Sequence, residues 1–373
     1  MLEARAQQKQ ENAKKVEVIL SKLEYLKFFS DFTLHLMNKN TYAMKRNSMF
    51  DFVGLMLSRV CYGNCIFCPI PKLQHTSADS PKKRFMSLEV AERVVKELKS
   101  MSFSGPINLG ENGDALLNPN FKDIIEIISQ NLPSAKIMLY TNMAQMDKRL
   151  SYFLMGQNVT EVCLNMDGST KETYEFAKRG LKYEIIKDNL LNFIKIRNQT
   201  KRNCKLSIFM IPPKRYLRLR ANAKANIQYD VLDIIDFWKP YLSKGDSIIE
   251  IKYFSNWNSE SSNQIRKKSC PMVPSLFNNC YISTEGDVYA CCLDALTKLT
   301  FGNVLDDSIR KIWNSRKRRN VIRNIVNREF KKVGEPCIHC NEKNDFLVSY
   351  LNYTGCRLSS RSKRFLKRLH QSL

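Results

Sequence analysis

The chain has 373 residues, enough for one large domain with a smaller one beside it. It carries 60 Lys plus Arg against 36 Asp plus Glu; the formal net charge of +24 implies affinity for something anionic, whether nucleic acid, a phosphorylated substrate or a lipid surface, unless it only reflects a lysine-rich proteome. It has no apolar run of about 18 residues or more, so no membrane span is expected, and its first residues lack the apolar core of a secretion signal, so a cytoplasmic location is expected.

Residues 1–48 read as a mixed helical extension without legible chemistry. The apolar run over 50–57 then predicts a strand that ends in the loop Cys61-Tyr62-Gly63-Asn64-Cys65-Ile66-Phe67-Cys68. Ser87 is placed to cap a helix whose apolar face is Ala91, Val94, Val95 and Leu98. Residues 107–109 form a short strand, and Phe121, Ile124, Ile125 and Ile128 make the next helical face. Strands follow over 136–140 and 159–166, a helix lined by Ile186, Leu190, Phe193 and Ile194, then strands over 206–211 and 248–254. Strands separated by helices imply parallel βα units. Such enzymes place their sites at the carboxyl ends of strands, which is where the first cysteine loop falls.

Three thiolates on one short loop suit three corners of a cubane [4Fe–4S] cluster. The fourth iron then has no nearby protein ligand and is open to a small molecule, an arrangement that binds and splits S-adenosylmethionine (SAM). A zinc site usually takes four ligands, often as two CxxC pairs, and disulfides need an oxidising compartment. The spacing CxxxCxxC fits neither. Of the 12 cysteines, seven lie after residue 269, at Cys270, Cys280, Cys291, Cys292, Cys337, Cys340 and Cys356. Cys163 and Cys204 sit in or beside strand-like segments and read as buried thiols.

With the cysteine loop and the βα units together, residues 49–356 resemble the radical SAM superfamily. The resemblance implies an α/β fold, a partial (β/α)6 barrel of the radical SAM type over 49–255, with the cluster at the strand C-termini. It also implies reductive cleavage of SAM to a 5′-deoxyadenosyl radical that abstracts hydrogen from a substrate, and a reducing electron donor such as flavodoxin or ferredoxin. Phe67 matches the aromatic that packs near the adenine. Gly113 and Asp114, in Gly110-Glu111-Asn112-Gly113-Asp114-Ala115, align with the family's GGEP-like segment, which holds the methionine amino group; Glu111 is the rival acid for that role. Thr141 and Asn142 match a common TN signature, and Asn165 falls where ribose-contacting groups sit. Arg179 is read as part of an R-x-G step and as a partner for the SAM carboxylate through its planar fork, or else as a surface ion pair.

Residues 256–356 resemble a small C-terminal SPASM/Twitch-like auxiliary cluster domain. Residues 282–288 look like a tight hairpin with Gly286 at the turn, which would bring Cys291 back beside Cys270. Residues 301–304 and 312–314 match the usual linker and helix. Full SPASM domains continue after the CxxC with a further CxxxC, but Phe346 stands where the next cysteine would fall. One auxiliary [4Fe–4S] cluster is therefore expected, held by Cys270, Cys291, Cys337 and Cys340, with Cys292 and Cys280 as substitutes and zinc as the competing metal.

The last residues, 357–373, make a basic amphipathic tail. It suits either an anionic membrane surface, giving peripheral contact at the inner membrane, or packing on the barrel. The function expected is hydrogen abstraction from a sugar-like, cyclitol or cell-envelope metabolite, with a net oxidation one outcome. The alternatives are a maturase of a ribosomally made peptide or, from another class, a basic cysteine-rich nucleic-acid-binding protein. Nucleic acid is the weakest partner, because no RNA- or DNA-reading motif occurs.

Overall fold

The computed structural model describes residues 49–70, 84–210, 231–250, 270 and 272–340. The expected extension 1–48, the far end of the predicted strand beyond residue 250, Cys356 and the tail 357–373 lie outside the described residues.

The strands, in chain order, are β1 (Phe52–Leu55), β2 (Asn64–Cys65), β3 (Pro106–Leu109), β4 (Lys136–Tyr140), β5 (Val159–Asn165), β6 (Lys178–Arg179), β7 (Lys205–Met210), β8 (Ser247–Glu250), β9 (Asn279–Ile282), β10 (Asp287–Tyr289) and β11 (Thr300–Asn303). Nine of them form one sheet in the order β11-β10-β9-β1-β3-β4-β5-β7-β8. From β9 to β8 every pairing is parallel, and β10 and β11 close the other edge antiparallel. The six strands β1, β3, β4, β5, β7 and β8 are those of the expected partial barrel.

The intervening helices arise from local signals. Ser87 accepts a hydrogen bond from Val90 N–H and so caps α1 (Leu88–Ser100), which buries Val90, Ala91, Val94, Val95 and Leu98. In α2 (Phe121–Asn131) the buried face is Phe121, Ile124, Ile125 and Ile128. Asp147 caps α3 (Lys148–Met155), and Thr170 with Thr173 makes a reciprocal capping box on α4 (Lys171–Ala177). Among the described residues the longest helix is α5 (Tyr183–Gln199).

Strand alternation gives the sheet two unlike faces. On one face, Val53, Leu55, Ile107, Leu109, Ile137, Leu139, Val162, Leu164, Leu206 and Ile208 are wholly buried. At roughly 1.5–3 kcal/mol per fully buried aliphatic side chain, this face and the helices over it supply most of the fold's stability. The register places Tyr281, Gly54, Asn108 and Met138 in a row on the opposite face, with Tyr140, Cys163, Ser207 and Ser247 in the next row. That face is the barrel interior, where polar side chains stand among aromatic ones. Ser207 Oγ donates to Glu161 and shares a hydrogen bond of 3.0 Å with Ser247, and Lys205 pairs with Glu161 at 3.4 Å.

The expected C-terminal domain begins as a continuation of this sheet. β9 pairs with β1 from Phe52↔Asn279 to Leu55↔Ile282, so β1 has neighbours on both sides instead of presenting an open edge. The predicted hairpin is present, with Gly286 at φ +89° and Gly286 N–H donating to Ser283 O at 3.0 Å. Helices α6 (Ile309–Trp313) and α7 (Arg316–Val326) follow it, capped by Ser308 and Ser315. Among the described residues no helix is long and apolar enough to cross a membrane.

Candidate functional site

The first cysteine loop leaves the carboxyl end of β1 and is held on three sides. On one side β2, which contains Cys65, pairs antiparallel with β6, and Ile66 N–H donates to Ala177 O at 3.1 Å. On a second side, Asn142 at the end of β4 donates from Nδ2 to Cys61 Sγ at 3.4 Å, as does the Gly63 N–H. On the third, Asp114 N–H donates to Val60 O at 2.8 Å. This last approach requires glycine at position 113. Its φ is +74°, and a Cβ there would stand 2.6 Å from Ser58 O and 2.8 Å from Val60 O.

Cys61, Cys65 and Cys68 are half-buried and close enough to raise one another's pKa. Burial pushes the Cys61 thiol up to about 11 and the Cys68 thiol up to about 12, and it raises Cys65 as well. Thiolates so placed would need positive charge beside them, which bound iron would supply. Among the described residues no three His, Cys, Asp or Glu side chains converge on a single metal ion. A cubane instead takes one thiolate per iron, so the donor set fits a [4Fe–4S] cluster.

The residues expected to hold SAM divide into two groups. Phe67, Gly113, Asn142 and the buried Asp114 and Thr141 gather around the loop. The Asp114 carboxylate accepts from Thr141 Oγ1 at 3.0 and 3.1 Å, from Asn142 N–H at 3.0 Å and from Leu116 N–H at 3.1 Å. Those donors bind Asp114 into the fold, clamping the end of β3 to the end of β4 and capping the turn at Ala115–Leu117. Asn165 lies half-buried at the end of β5, on the interior face. Arg179 is exposed, with its guanidinium 6.0 Å from the Phe176 ring. Strand alternation in the two-residue β6 turns its neighbour inward instead.

That neighbour, Lys178, was not picked out from the sequence, although the three-residue step ending at Gly180 begins with it. It is 5 % exposed, its Nζ lies 2.9 Å from the fully buried Asp167, and it sits 4.8 Å from the Phe67 ring centre. Burial opposes its charge, but Asp167 and Cys65 outweigh that and raise its pKa. Lys178 is thus a fixed cation beside Cys65 and Cys68. Two further groups were also missed. The Asn112 amide and the Tyr174 hydroxyl are buried without hydrogen-bond partners among the described residues, and Tyr174 lies within electrostatic reach of Cys65, Asp167 and Cys61. Unpartnered polar atoms in that position suit a polar ligand such as the amino-acid end of SAM.

In the C-terminal region, Cys291 follows β10 and lies within electrostatic reach of Cys292 and Cys270. Hydrogen bonding with Cys292, then burial, raises the Cys291 thiol. The turn after it carries Lys298, whose ammonium pairs with Glu335, next to the turn of Cys337 and Cys340. Cys280, considered as a substitute ligand, points elsewhere. It shares the helix-covered face with Val53, is wholly buried, and has Arg318 as its charged neighbour.

Residues 55–214 match the family model described as the radical SAM superfamily, and residues 270–341 match that of an iron–sulfur cluster-binding domain, SPASM. No curated protein sequence matches the chain. Among solved structures, BtrN in complex with AdoMet and 2-DOIA is similar at a TM-score of 0.53 and 17% identity, over 79% of this chain and 94% of that one. Streptococcus suis SuiB is similar at 0.51 and 12%, over 85% and 76%. SuiB bound to precursor peptide SuiA is similar at 0.50 and 13%, over 78% and 71%. At these identities the likeness is one of fold.

Proposed function

Since the chain is a radical SAM enzyme with a C-terminal SPASM domain, we propose that it abstracts hydrogen from a sugar-like, cyclitol or cell-envelope metabolite, as part of a net oxidation. Its cofactors are a [4Fe–4S] cluster with SAM, and auxiliary iron–sulfur. When bound, the first cluster supplies the electron that cleaves SAM to the hydrogen-abstracting 5′-deoxyadenosyl radical.

In this reading Cys61, Cys65 and Cys68 hold that cluster. Gly113, Asn142, Asn165 and Phe67 line the SAM site, while Asp114 and Thr141 keep the ends of β3 and β4 in register. Cys270, Cys291, Cys337 and Cys340 hold one auxiliary cluster. The observation that carries the substrate class is the set of polar side chains in the barrel interior, Asn108, Glu111, Glu161, Ser207 and Ser247, which offer hydrogen bonds to a small polyhydroxylated molecule. BtrN, the neighbour crystallised with 2-DOIA, is compatible with it. A peptide substrate is the second reading, favoured by the likeness to SuiB with its precursor peptide. The basic tail 357–373 is proposed as a contact with anionic membrane, to be tested by liposome co-sedimentation of the full chain against a chain ending at residue 356.

The test is 5′-deoxyadenosine formation by anaerobically reconstituted protein given SAM and dithionite, with Cys65→Ala as control. Product absent from the control supports the reading. No product from fully loaded parent protein would falsify it.

A further inference from the structure

Lys178 brings a buried positive charge to the back of the first cysteine loop. β6 sets it directly opposite Cys65 across an antiparallel pair, so both side chains leave the two-stranded ribbon on the same face. Residues opposed in this way have Cβ atoms about 4.5–5.5 Å apart. The ammonium is then fixed from two further sides. Its Nζ lies 2.9 Å from the Asp167 carboxylate and 4.8 Å from the centre of the Phe67 ring, and Phe67 is the residue before Cys68. Lys178 and Asp167 are both buried.

A buried ion pair is a weak way to stabilise a fold, because desolvating two charges cancels much of their attraction. The direction of this pair is its distinguishing feature. Lys178 acts on both Cys65 and Cys68, and at Cys65 its effect exceeds that of Asp167, so the positive end of the pair faces the thiols. The next residue, Arg179, belongs to the other face of β6 and is exposed, where water and salt screen its charge. One-electron reduction makes an iron–sulfur cluster more negative. A cation fixed beside the ligands, away from water, favours that reduced form, since net charge and surroundings set the potential of such clusters.

We propose that Lys178, held by Asp167 and Phe67, raises the reduction potential of the cluster on Cys61, Cys65 and Cys68, so that the enzyme can take its electron from a weaker reductant. Lys178 is a positioning residue in this sense, acting through the thiolate ligands. The inference goes beyond the function proposed above and rests on its assignment of a cluster to those three cysteines.

The test is a redox titration of anaerobically reconstituted full-length protein without SAM, followed by electron paramagnetic resonance. The signal to follow is the one that a Cys65→Ala protein lacks, which separates this cluster from auxiliary iron–sulfur. Lys178→Met should disfavour one-electron reduction at least about ten-fold, a fall in potential of about 59 mV or more. Arg179→Met removes the same charge one residue along and should change the equilibrium by less than about two-fold. Lys178→Met leaves Asp167 buried alone, so a second protein combines it with Asp167→Asn; with neither charge present its potential should fall as well. Iron content equal to the parent shows that each variant is loaded. A role for Lys178 confined to folding, or to holding SAM, leaves the potential without SAM where it was. A potential unchanged in both Lys178 variants, or lowered equally by Arg179→Met, overturns the inference alone. A parent with no signal for Cys65→Ala to remove sinks the cluster assignment, and the inference with it.

Discussion

Replacing Glu111 with Gln should stabilise the protein, and by an amount that grows with pH. Burial pushes the Glu111 carboxyl up from 4.5 to about 7, and the hydrogen bond from Asn108 only partly offsets it. The groups facing it are the phenols of Tyr140, Tyr281 and Tyr289, all pushed upward by burial and hence neutral, and the Asn108 amide. Because the folded-state pKa lies above the unfolded one, the folded chain retains a proton that the unfolded chain gives up. The stability Glu111 contributes is fully present below about pH 4.5 and is lost as pH rises through about 7. At about 1.4 kcal/mol per pH unit the whole interval amounts to roughly 3 kcal/mol at most, because the side chain keeps some exposure. Gln carries no such titration. Between pH 5.5 and 8.5 the variant should therefore gain about 2 kcal/mol on the parent, or roughly 2–3 °C in melting temperature for a chain of this length. Anaerobic differential scanning fluorimetry of both proteins without SAM, at equal iron content, measures it. A melting-temperature difference that stays flat across that pH range refutes the assignment of Glu111 as an uncompensated interior acid.

Gly113→Ala forces both a positive φ and a Cβ against Ser58 O and Val60 O. It should displace the cysteine loop and lower the iron bound per chain on reconstitution by about half or more, read by iron assay. Lys178→Met strands the buried Asp167 and should cost about 3–5 kcal/mol, whereas Arg179→Met at the exposed neighbouring position should stay within about 0.5 kcal/mol; equal losses in urea unfolding would show that the inward and outward assignments in β6 are wrong. Thr141→Val removes a donor from the buried Asp114 and should cost about 1–3 kcal/mol, detectable in the same titration. Cys291→Ala should lose about four irons per chain relative to the parent, and Cys280→Ala none; iron loss from Cys280→Ala would return that residue to the auxiliary site.

What the sequence made legible was local. The CxxxCxxC spacing, the Ser87 cap and the apolar faces of α1 and α2 are each set within a dozen or so residues, and the structure contains those elements where the periodicity puts them. What it concealed depends on partners far away in the chain. Asp114 reads as a free acid until Thr141 and Asn142, 27 and 28 residues on, are seen to occupy its oxygens. Lys178 sits in a two-residue strand, too short for a period of two to declare which side chain turns inward, and so attention falls on Arg179 instead. Cys280 and Cys291 look alike as letters. Their difference follows from register, since Cys280 lies one residue from Tyr281 and alternation sends the two to opposite faces. That register is set by β9 lying along β1, a pairing of strands more than two hundred residues apart that no local signal announces.

The same pairing makes the two cysteine regions parts of one construction. Arg59, two residues before Cys61, reaches into the C-terminal segment and donates to Thr284 Oγ1 at 3.3 Å, to Ala295 O at 3.4 Å and to Thr297 Oγ1 at 2.5 Å. Asp294 braces the same turn, accepting from the N–H groups of Lys298 and Leu299. Tyr281 on β9 and Tyr289 on β10 pack with Met56 just past the end of β1, and Phe52 and Cys292 pack against this cluster. A displacement of the loop at Cys291 is therefore transmitted through two rigid rings to the interior at Gly54 and Glu111, and through Arg59 to the root of the first cysteine loop. Packed aromatics on paired strands do not deform independently. Loss of the auxiliary ligands should accordingly slow SAM cleavage at the first cysteine loop as well as lower the iron content. A Cys291→Ala protein that loses iron yet forms 5′-deoxyadenosine like the parent would show that the continuous sheet does not mechanically couple the two regions.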